Sequence, residues 1–196
     1  ECLLNKKTTI TPVWFMRQAG RYLPEFREIR KVNTNFINLC LNDKLSSKIT
    51  LQPLERFNLS AAIIFSDILM VPYGLDQEVN FIKNFGPKLG FLDLKKISRI
   101  NETQFTKKLF PIYKTINMVK KDSLIKNKDL IGFIGAPWTL LVYMINQSSP
   151  KKKLHKNIFN DENLVNETLK ILEKFLKVHI KNQIENGATI IQIFDS

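Results

Sequence analysis

Two guanidiniums and two carboxylates stand at places where a folded chain gathers ligands. Arg17 and Arg21 lie in Arg17-Gln18-Ala19-Gly20-Arg21-Tyr22-Leu23-Pro24, a stretch that its glycine and proline mark as a loop. Two arginines close together on a loop suit a bidentate grip on carboxylates or phosphates. The alternative is a surface pair held in solvent-exposed ion pairs. Asp67 follows an apolar run and sits between Ser66 and Ile68. A carboxylate there is desolvated and needs a partner, either a ligand N–H or developing cation or the amides of its own loop. Asp195 and Ser196 close a second apolar run, and Thr139 and Tyr143 follow a third. For Tyr143 the competing reading is a core tyrosine with a satisfied hydroxyl.

Four apolar runs must position these groups: Pro12–Met16, Ala61–Phe65, Leu130–Ile134 and Thr189–Phe194. Each has strand length and is nearly continuous rather than alternating, as expected of parallel strands covered on both faces. Helical spacing fills the intervals at Asp43–Phe57, Gln104–Val119 and Asn163–Glu185. Asp161 is the expected N-cap of the last of these and Gly187 its stop. Pro137 suits the first turn of a helix after the third run. The segment 73–90, with Val79, Phe81, Ile82 and Phe85 between turn residues, reads as a hairpin inserted in a loop. Alternating strands and helices predict right-handed βαβ units. Their strand ends share one face, where ligands bind. A doubly wound sheet and a (β/α)8 barrel both fit that pattern. Four strands in 196 residues would be roughly half of a barrel.

Composition excludes several classes. The chain carries 44% hydrophobic and 24% charged residues, an ordinary globular balance. The net charge of +12 allows an acidic substrate, a nucleic acid or a membrane surface as partner. The lysines are scattered, however, and the longest basic run, Lys151 to Lys153, has no aromatic RNA-binding signature beside it. Cys2 and Cys40 have no metal or redox spacing, which points to a reducing compartment. The first eleven residues lack a signal-peptide core. The most apolar stretch, 61–73, is broken by Asp67 and Pro72 and is too short to span a bilayer. The expected location is the cytoplasm. His155 and His179, in Lys-rich surroundings, read as surface residues. No nucleotide loop or nucleophile elbow is present.

The run Pro12-Val13-Trp14-Phe15-Met16-Arg17-Gln18-Ala19-Gly20-Arg21-Tyr22-Leu23-Pro24-Glu25-Phe26-Arg27 closely resembles the N-terminal signature of uroporphyrinogen decarboxylases. Three further segments fall in that family's order. Leu51 to Phe57 leads into Ile64-Phe65-Ser66-Asp67-Ile68-Leu69. Gly132 to Leu140 resembles the second signature, with Tyr143 beyond it. Gly187 to Ser196 resembles a middle strand end. The resemblance covers essentially the whole chain. It implies a (β/α)8 TIM barrel, of which these residues are the N-terminal portion as a single domain. It also implies cofactor-independent removal of carbon dioxide from the four acetate side chains of uroporphyrinogen III, giving coproporphyrinogen III.

By that resemblance Arg17 and Arg21 would bind and orient the substrate's carboxylates, with Gln18 beside them. Asp67 would hold the central pyrrole N–H groups and stabilise a ring cation, and one arginine would serve as acid. Tyr143 and Ser196 match positions that contact substrate side chains, and Phe194 would line the wall under the macrocycle. The family forms homodimers. It also places an active-site histidine beyond the region matched here, and neither His155 nor His179 fits that position. The 196 residues alone are therefore expected to be inactive and aggregation-prone. Two rivals differ in class. One is a corrinoid- or thiol-linked methyltransferase of the same superfamily, with zinc held late in the barrel. The other is a basic module for anions or nucleic acid, recognisable by a steep salt dependence.

Overall fold

A computed structural model describes residues 11–149 and 160–195. Its centre is a three-stranded parallel sheet in the order β1-β4-β5, built from β1 (Ala61–Ile63), β4 (Asp129–Gly135) and β5 (Ile190–Phe194). Ala61 pairs with Asp129 and Ile63 with Ile131; Ile131 pairs with Ile190 and Gly135 with Phe194. The strands are short and rich in Ile and Ala. One face carries Ala61, Ile63, Ile131, Phe133, Ile190 and Phe194. The opposite face turns Ala62, Ile64, Leu130 and Ile191 toward the helices. Burial on both faces explains why these runs do not alternate in polarity.

Between β1 and β4 lies the hairpin of β2 (Val79–Ile82) and β3 (Gly86–Leu89), antiparallel as its turn residues predict. Among the described residues eight α-helices surround the strands: α1 (Pro24–Val32), α2 (Phe36–Cys40), α3 (Asp43–Arg56), α4 (Met70–Gly74), α5 (Leu94–Ile97), α6 (Glu102–Lys120), α7 (Pro137–Asn146) and α8 (Glu162–Glu185). The long helices start where the sequence places their caps. Asp161 accepts from Leu164 N–H at 2.9 Å. Asn101 and Gln104 form a reciprocal capping box. Pro137 occupies the first turn of α7. Beyond α8, Gly187 adopts φ +118°, a left-handed conformation that costs glycine nothing. The short helices α1, α2, α4 and α5 carry too few turns for an apolar period, and helical spacing alone does not find them.

Two expectations fail. Pro12–Met16 is not a strand. It runs alongside Ser60, with Val13 N–H donating to Ser60 Oγ at 2.9 Å and Ser60 N–H donating to Val13 O at 2.8 Å, and no ladder continues from there. Pro12 has no N–H to give, and Phe15 and Met16 stay exposed. The sheet therefore has three strands among the described residues, where four were expected.

The second failure is His179, which lies inside the protein at 3% exposure. Its sequence neighbours Lys177 and Lys181 suggested a surface position. Helical neighbours decide otherwise, because His179 shares the buried stripe of Leu172, Phe175, Leu176 and Gln183 on α8. Its Nδ1 lies 2.9 Å from the Tyr113 hydroxyl of α6, and its ring meets Phe105 edge to face. His155 lies outside the described residues.

Burial pushes the His179 ring down to about 4 from its ordinary 6.5. The folded protein thus keeps the ring neutral through a range in which the unfolded chain protonates it. Acidification from about pH 6.5 to about pH 4 should cost up to roughly 3 kcal/mol through His179, while the raised Asp67 carboxyl acts in the opposite direction over part of that range. Chemical denaturation of the protein beside the double variant His179→Leu/Tyr113→Phe should show the variant gaining on the unsubstituted protein by about that amount as the pH falls. Equal pH dependence in the two would remove His179 as a source.

Candidate active site

The three parallel strands end side by side. An added Cβ on Gly135, the last residue of β4, would lie 3.1 Å from Ile68 Cβ and 2.8 Å from Leu140 Cδ2. The loop after β1, the end of β4 and the start of α7 therefore meet at one place. On its other side Gly135 pairs with Phe194, and Ala136 N–H donates to Phe194 O at 2.8 Å. Asp67, Tyr143, Phe194 and Asp195 all belong to segments that leave the sheet at this edge.

Asp67 keeps some exposed surface while its carboxyl is set among protein atoms. Burial pushes it up to about 6, against the pull of a hydrogen bond from Leu69 N–H and of the Arg17 guanidinium. The Leu69 bond is 2.9 Å, to Oδ1. No described side chain donates to the other oxygen. A carboxylate in that state is ionised at neutral pH, yet little solvated, and is ready to pair with an incoming donor.

Arg17 and Arg21 are exposed, and no carboxylate ion-pairs with either among the described residues. Most other cations with short contacts have a definite partner. Arg56 grips Glu25 through two bonds of 2.6 and 2.8 Å, and Lys31, Lys170 and Lys177 pair with a glutamate one turn away. Arginines that stand without such partners suit an anion from outside better than a surface network.

The remaining expected residues divide. Tyr143 is half-buried on α7 and packs against the main core, and no contact joins it to Asp67. Phe194 is half-buried with its ring 5.5 Å from Phe133, edge to face, on the sheet face that carries Ile63 and Ile131. Ser196 lies outside the described residues. Gln18 does not turn toward the arginines. It is 2% exposed, and its carboxamide bonds Ala61 O at 2.8 Å and Ile63 N–H at 3.2 Å. The exposed edge of β1 needs partners, and that demand takes the side chain away from the pocket.

Three features had no place in the sequence reading. Arg30 lies close enough to Arg21 and Cys40 to feel both, and burial first and Arg21 second hold its guanidinium below the usual range. It donates to Asn33 O at 2.6 Å and sits over the Phe36 ring. Its position about two turns into α1 gave no local signal. Phe133 supplies a second ring beside Phe194; its place in the third apolar run was visible, its facing was not. Thr139 donates to Asp195 Oδ1 at 2.6 Å, tying the first turn of α7 to the end of β5. Both residues were recognisable as polar groups at strand ends, but their pairing needed the register.

Because Arg17 draws the Asp67 carboxyl downward, its removal should raise that carboxyl further above about 6. Titration of the Asp67 carboxyl carbon by NMR in an Arg17→Ala variant would read the change. An unmoved midpoint would mean the two groups are too far apart, or too well screened, to interact.

Among the described residues no group of three or more His, Cys, Asp or Glu is placed to hold a metal ion, and no helix is long and apolar enough to cross a membrane. A family model described as uroporphyrinogen decarboxylase (URO-D) matches residues 1–196. A uroporphyrinogen decarboxylase of Campylobacter jejuni (serotype O:2) is 40% identical over 100% of this chain and 58% of its own length. One from Orientia tsutsugamushi (strain Ikeda) is 44% identical over 95% of this chain and 54% of its own. The chain thus spans about half the length of the curated relatives it matches. A solved methyltransferase from Methanosarcina mazei superposes with a TM-score of 0.71 at 18% identity, over 97% of this chain and 56% of that one. That likeness concerns the fold alone, a TIM barrel of which the strands and helices described here form a part. With its whole length covered by the family model and its strand ends arranged as above, the chain belongs to the uroporphyrinogen decarboxylase family.

Proposed function

We propose that the protein to which this chain belongs removes the acetate carboxyl groups of uroporphyrinogen III, giving coproporphyrinogen III in porphyrin and heme synthesis. The observation that carries the reading is a guanidinium whose field reaches a desolvated carboxylate just beyond the strand β1. A desolvated carboxylate, Asp67, lies within the field of Arg17, in a chain whose relatives at 40 to 44% identity are uroporphyrinogen decarboxylases.

The chemistry requires an electron sink. A proton adds to a ring carbon of the pyrrole, and the ring becomes a cation. The carbon–carboxylate bond then breaks, its electron pair moves into the ring, and carbon dioxide leaves. A second proton completes the methyl group, and loss of the first restores the pyrrole. Asp67 accepts the central N–H groups and stabilises the cation in a site where little water competes. Arg17 and Arg21 bind and orient the carboxylates, and one of them acts as the first acid. A guanidinium ordinarily holds its proton far too tightly for that step, and bound carboxylates would tighten that hold, so the acid role requires an environment that disfavours the charge. Tyr143 and Ser196 contact substrate side chains, and Phe194 with Phe133 forms the apolar wall. Groups from outside this chain complete the pocket. The reading further places the protein in the cytoplasm as a homodimer, with the tetrapyrrole as small-molecule partner, no organic or metal cofactor, and no nucleic-acid partner.

Anaerobic turnover of uroporphyrinogen by the complete gene product tests this directly. Asp67→Ala should lower kcat/KM by about 100- to 1000-fold. In the unsubstituted protein the rate should fall as the pH drops through about 6, where Asp67 becomes neutral. Turnover that survives the substitution would break the mechanism, and well-folded protein without any turnover would sink the reaction itself.

A further inference from the structure

The Gln18 carboxamide does what a strand residue would do. In a parallel pair, one residue donates its N–H to a carbonyl on the neighbouring strand and accepts from the N–H two residues further on. Gln18 Nε2 donates to Ala61 O, and Gln18 Oε1 accepts from Ile63 N–H. The other edge of β1 is already taken by β4, where Ser60 O accepts from Asp129 N–H and Ile64 N–H donates to Ile131 O. Ala61 and Ile63 therefore point the opposite way, toward the edge where Pro12–Met16 fails to form a ladder. One side-chain amide replaces the missing rung.

The segment around Gln18 is closed on itself. The Tyr22 hydroxyl donates to Gln18 O. Leu23 N–H donates to Gly20 O at 3.0 Å. Leu23, 1% exposed, enters a cluster with Phe26, Leu39 and Ile49, and Ala19 packs against it. Arg17 and Arg21 thus sit on a short loop anchored at Gln18 and Leu23. Asp67 is four residues beyond Ile63, in the loop that follows the strand Gln18 grips.

We propose that Gln18 is a positioning residue: its buried carboxamide, paired with Ala61 O and Ile63 N–H, holds the Arg17–Arg21 loop in register with the strand that leads into the Asp67 loop, and it does not touch the substrate. The inference rests on the decarboxylase reading only for what the arginines then do.

Two substitutions separate this role from substrate contact. Gln18→Glu keeps the shape, and when protonated offers an O–H for Ala61 O and a carbonyl for Ile63 N–H; when ionised it opposes Ala61 O with a charge. Gln18→Met keeps the length and makes neither bond. In the complete gene product at about pH 8, both variants should melt about 5 °C below the unsubstituted protein. Lowering the pH toward about 5.5 should close the gap for the Glu variant, since burial favours its neutral form, and leave it open for Met. With Gln18→Met the Asp67 carboxyl midpoint, read by NMR, should rise as Arg17 drifts away. At 25 °C, with both variants folded, kcat/KM for uroporphyrinogen should fall about tenfold, and the Glu variant should regain activity relative to the unsubstituted protein on acidification.

A melting gap that is absent, or indifferent to pH in the Glu variant, would overturn the pairing. A gap that behaves as expected with an unmoved Asp67 midpoint would overturn the positioning role and leave a structural one. A Glu variant that folds only below neutrality supports the proposal, and one that folds at no pH counts against it. Failure of the unsubstituted protein to turn over uroporphyrinogen would end the decarboxylase reading, while melting and titration would still decide the role of Gln18.

Discussion

Short parallel strands leave backbone groups that helices and loops must satisfy, and that demand organises this protein. β1 has three residues and β5 has five, beside seven in β4. Buried N–H and C=O groups without partners are costly, so side chains extend the ladders where strands stop. Gln18 completes the outer edge of β1. Gln183, 1% exposed on α8, takes both groups of Phe133, accepting from its N–H at 2.9 Å and donating to its carbonyl at 3.1 Å. It reaches them because Gly132 has no side chain; a Cβ there would lie 2.4 Å from Gln183 Oε1. Thr189 opens β5 in the same way, its hydroxyl accepting from Leu130 N–H at 3.0 Å and donating to Asp129 Oδ1 at 2.9 Å. These devices set how far each strand runs, and hence where Asp67, Tyr143 and Phe194 emerge.

The electrostatics of the strand ends follow from that geometry. The loop after β1 places Asp67 where burial outweighs the Leu69 hydrogen bond and the Arg17 field together, so the carboxyl is raised on balance. Arg17 and Arg21 remain at the surface without ion pairs among the described residues. A carboxylate short of solvation is unfavourable for folding alone, whereas the exposed arginines stay hydrated and available. Such a combination makes physical sense at a site whose ligand brings many carboxylates and several N–H donors. The remaining charge is organised differently. Lysines on α1 and α8 pair with glutamates one turn away at the surface, contacts that contribute little individually. The lysines of these pairs lie on a solvated exterior, whereas the two candidate site arginines share one loop.

Much of this was legible in the sequence, and the reasons differ by element. β4 was readable because both its faces are covered, which produces an unbroken apolar run, and β5 because its composition is rich in isoleucine although Ile193 stays exposed. The three long helices were readable from their period, the ends of α8 from Asp161 and Gly187, and the start of α7 from Pro137, whose chemistry is local. Pro12–Met16 has the composition of a strand but lacks a neighbouring ladder among the described residues, and pairing is a tertiary fact that composition does not contain. His179 was misplaced by attention to adjacent lysines; on a helix the relevant neighbours are three and four residues away. Asp67 and the two arginines were recognisable from their types and positions. The orientation of Gln18 was not, because a glutamine within a polar motif looks the same whether it faces a ligand or a strand.

Gln18 and His179 illustrate one rule from opposite sides. Each is a polar residue whose surroundings in sequence suggested water or ligand, and each is buried with its hydrogen bonds directed into the protein. Desolvation is tolerated at both because a specific partner is present, the β1 backbone for one and the Tyr113 hydroxyl for the other. Such partners are strict in geometry, and so both residues tie together elements distant in sequence: the loop at 17–21 to β1, and α6 to α8. Asp67 is the contrasting case, with one backbone donor and a field from Arg17 where a purely structural carboxylate would collect several donors. The difference between a polar group that holds the fold and one left available for chemistry is the number of partners the protein itself provides, and by that measure Asp67 is the group left available.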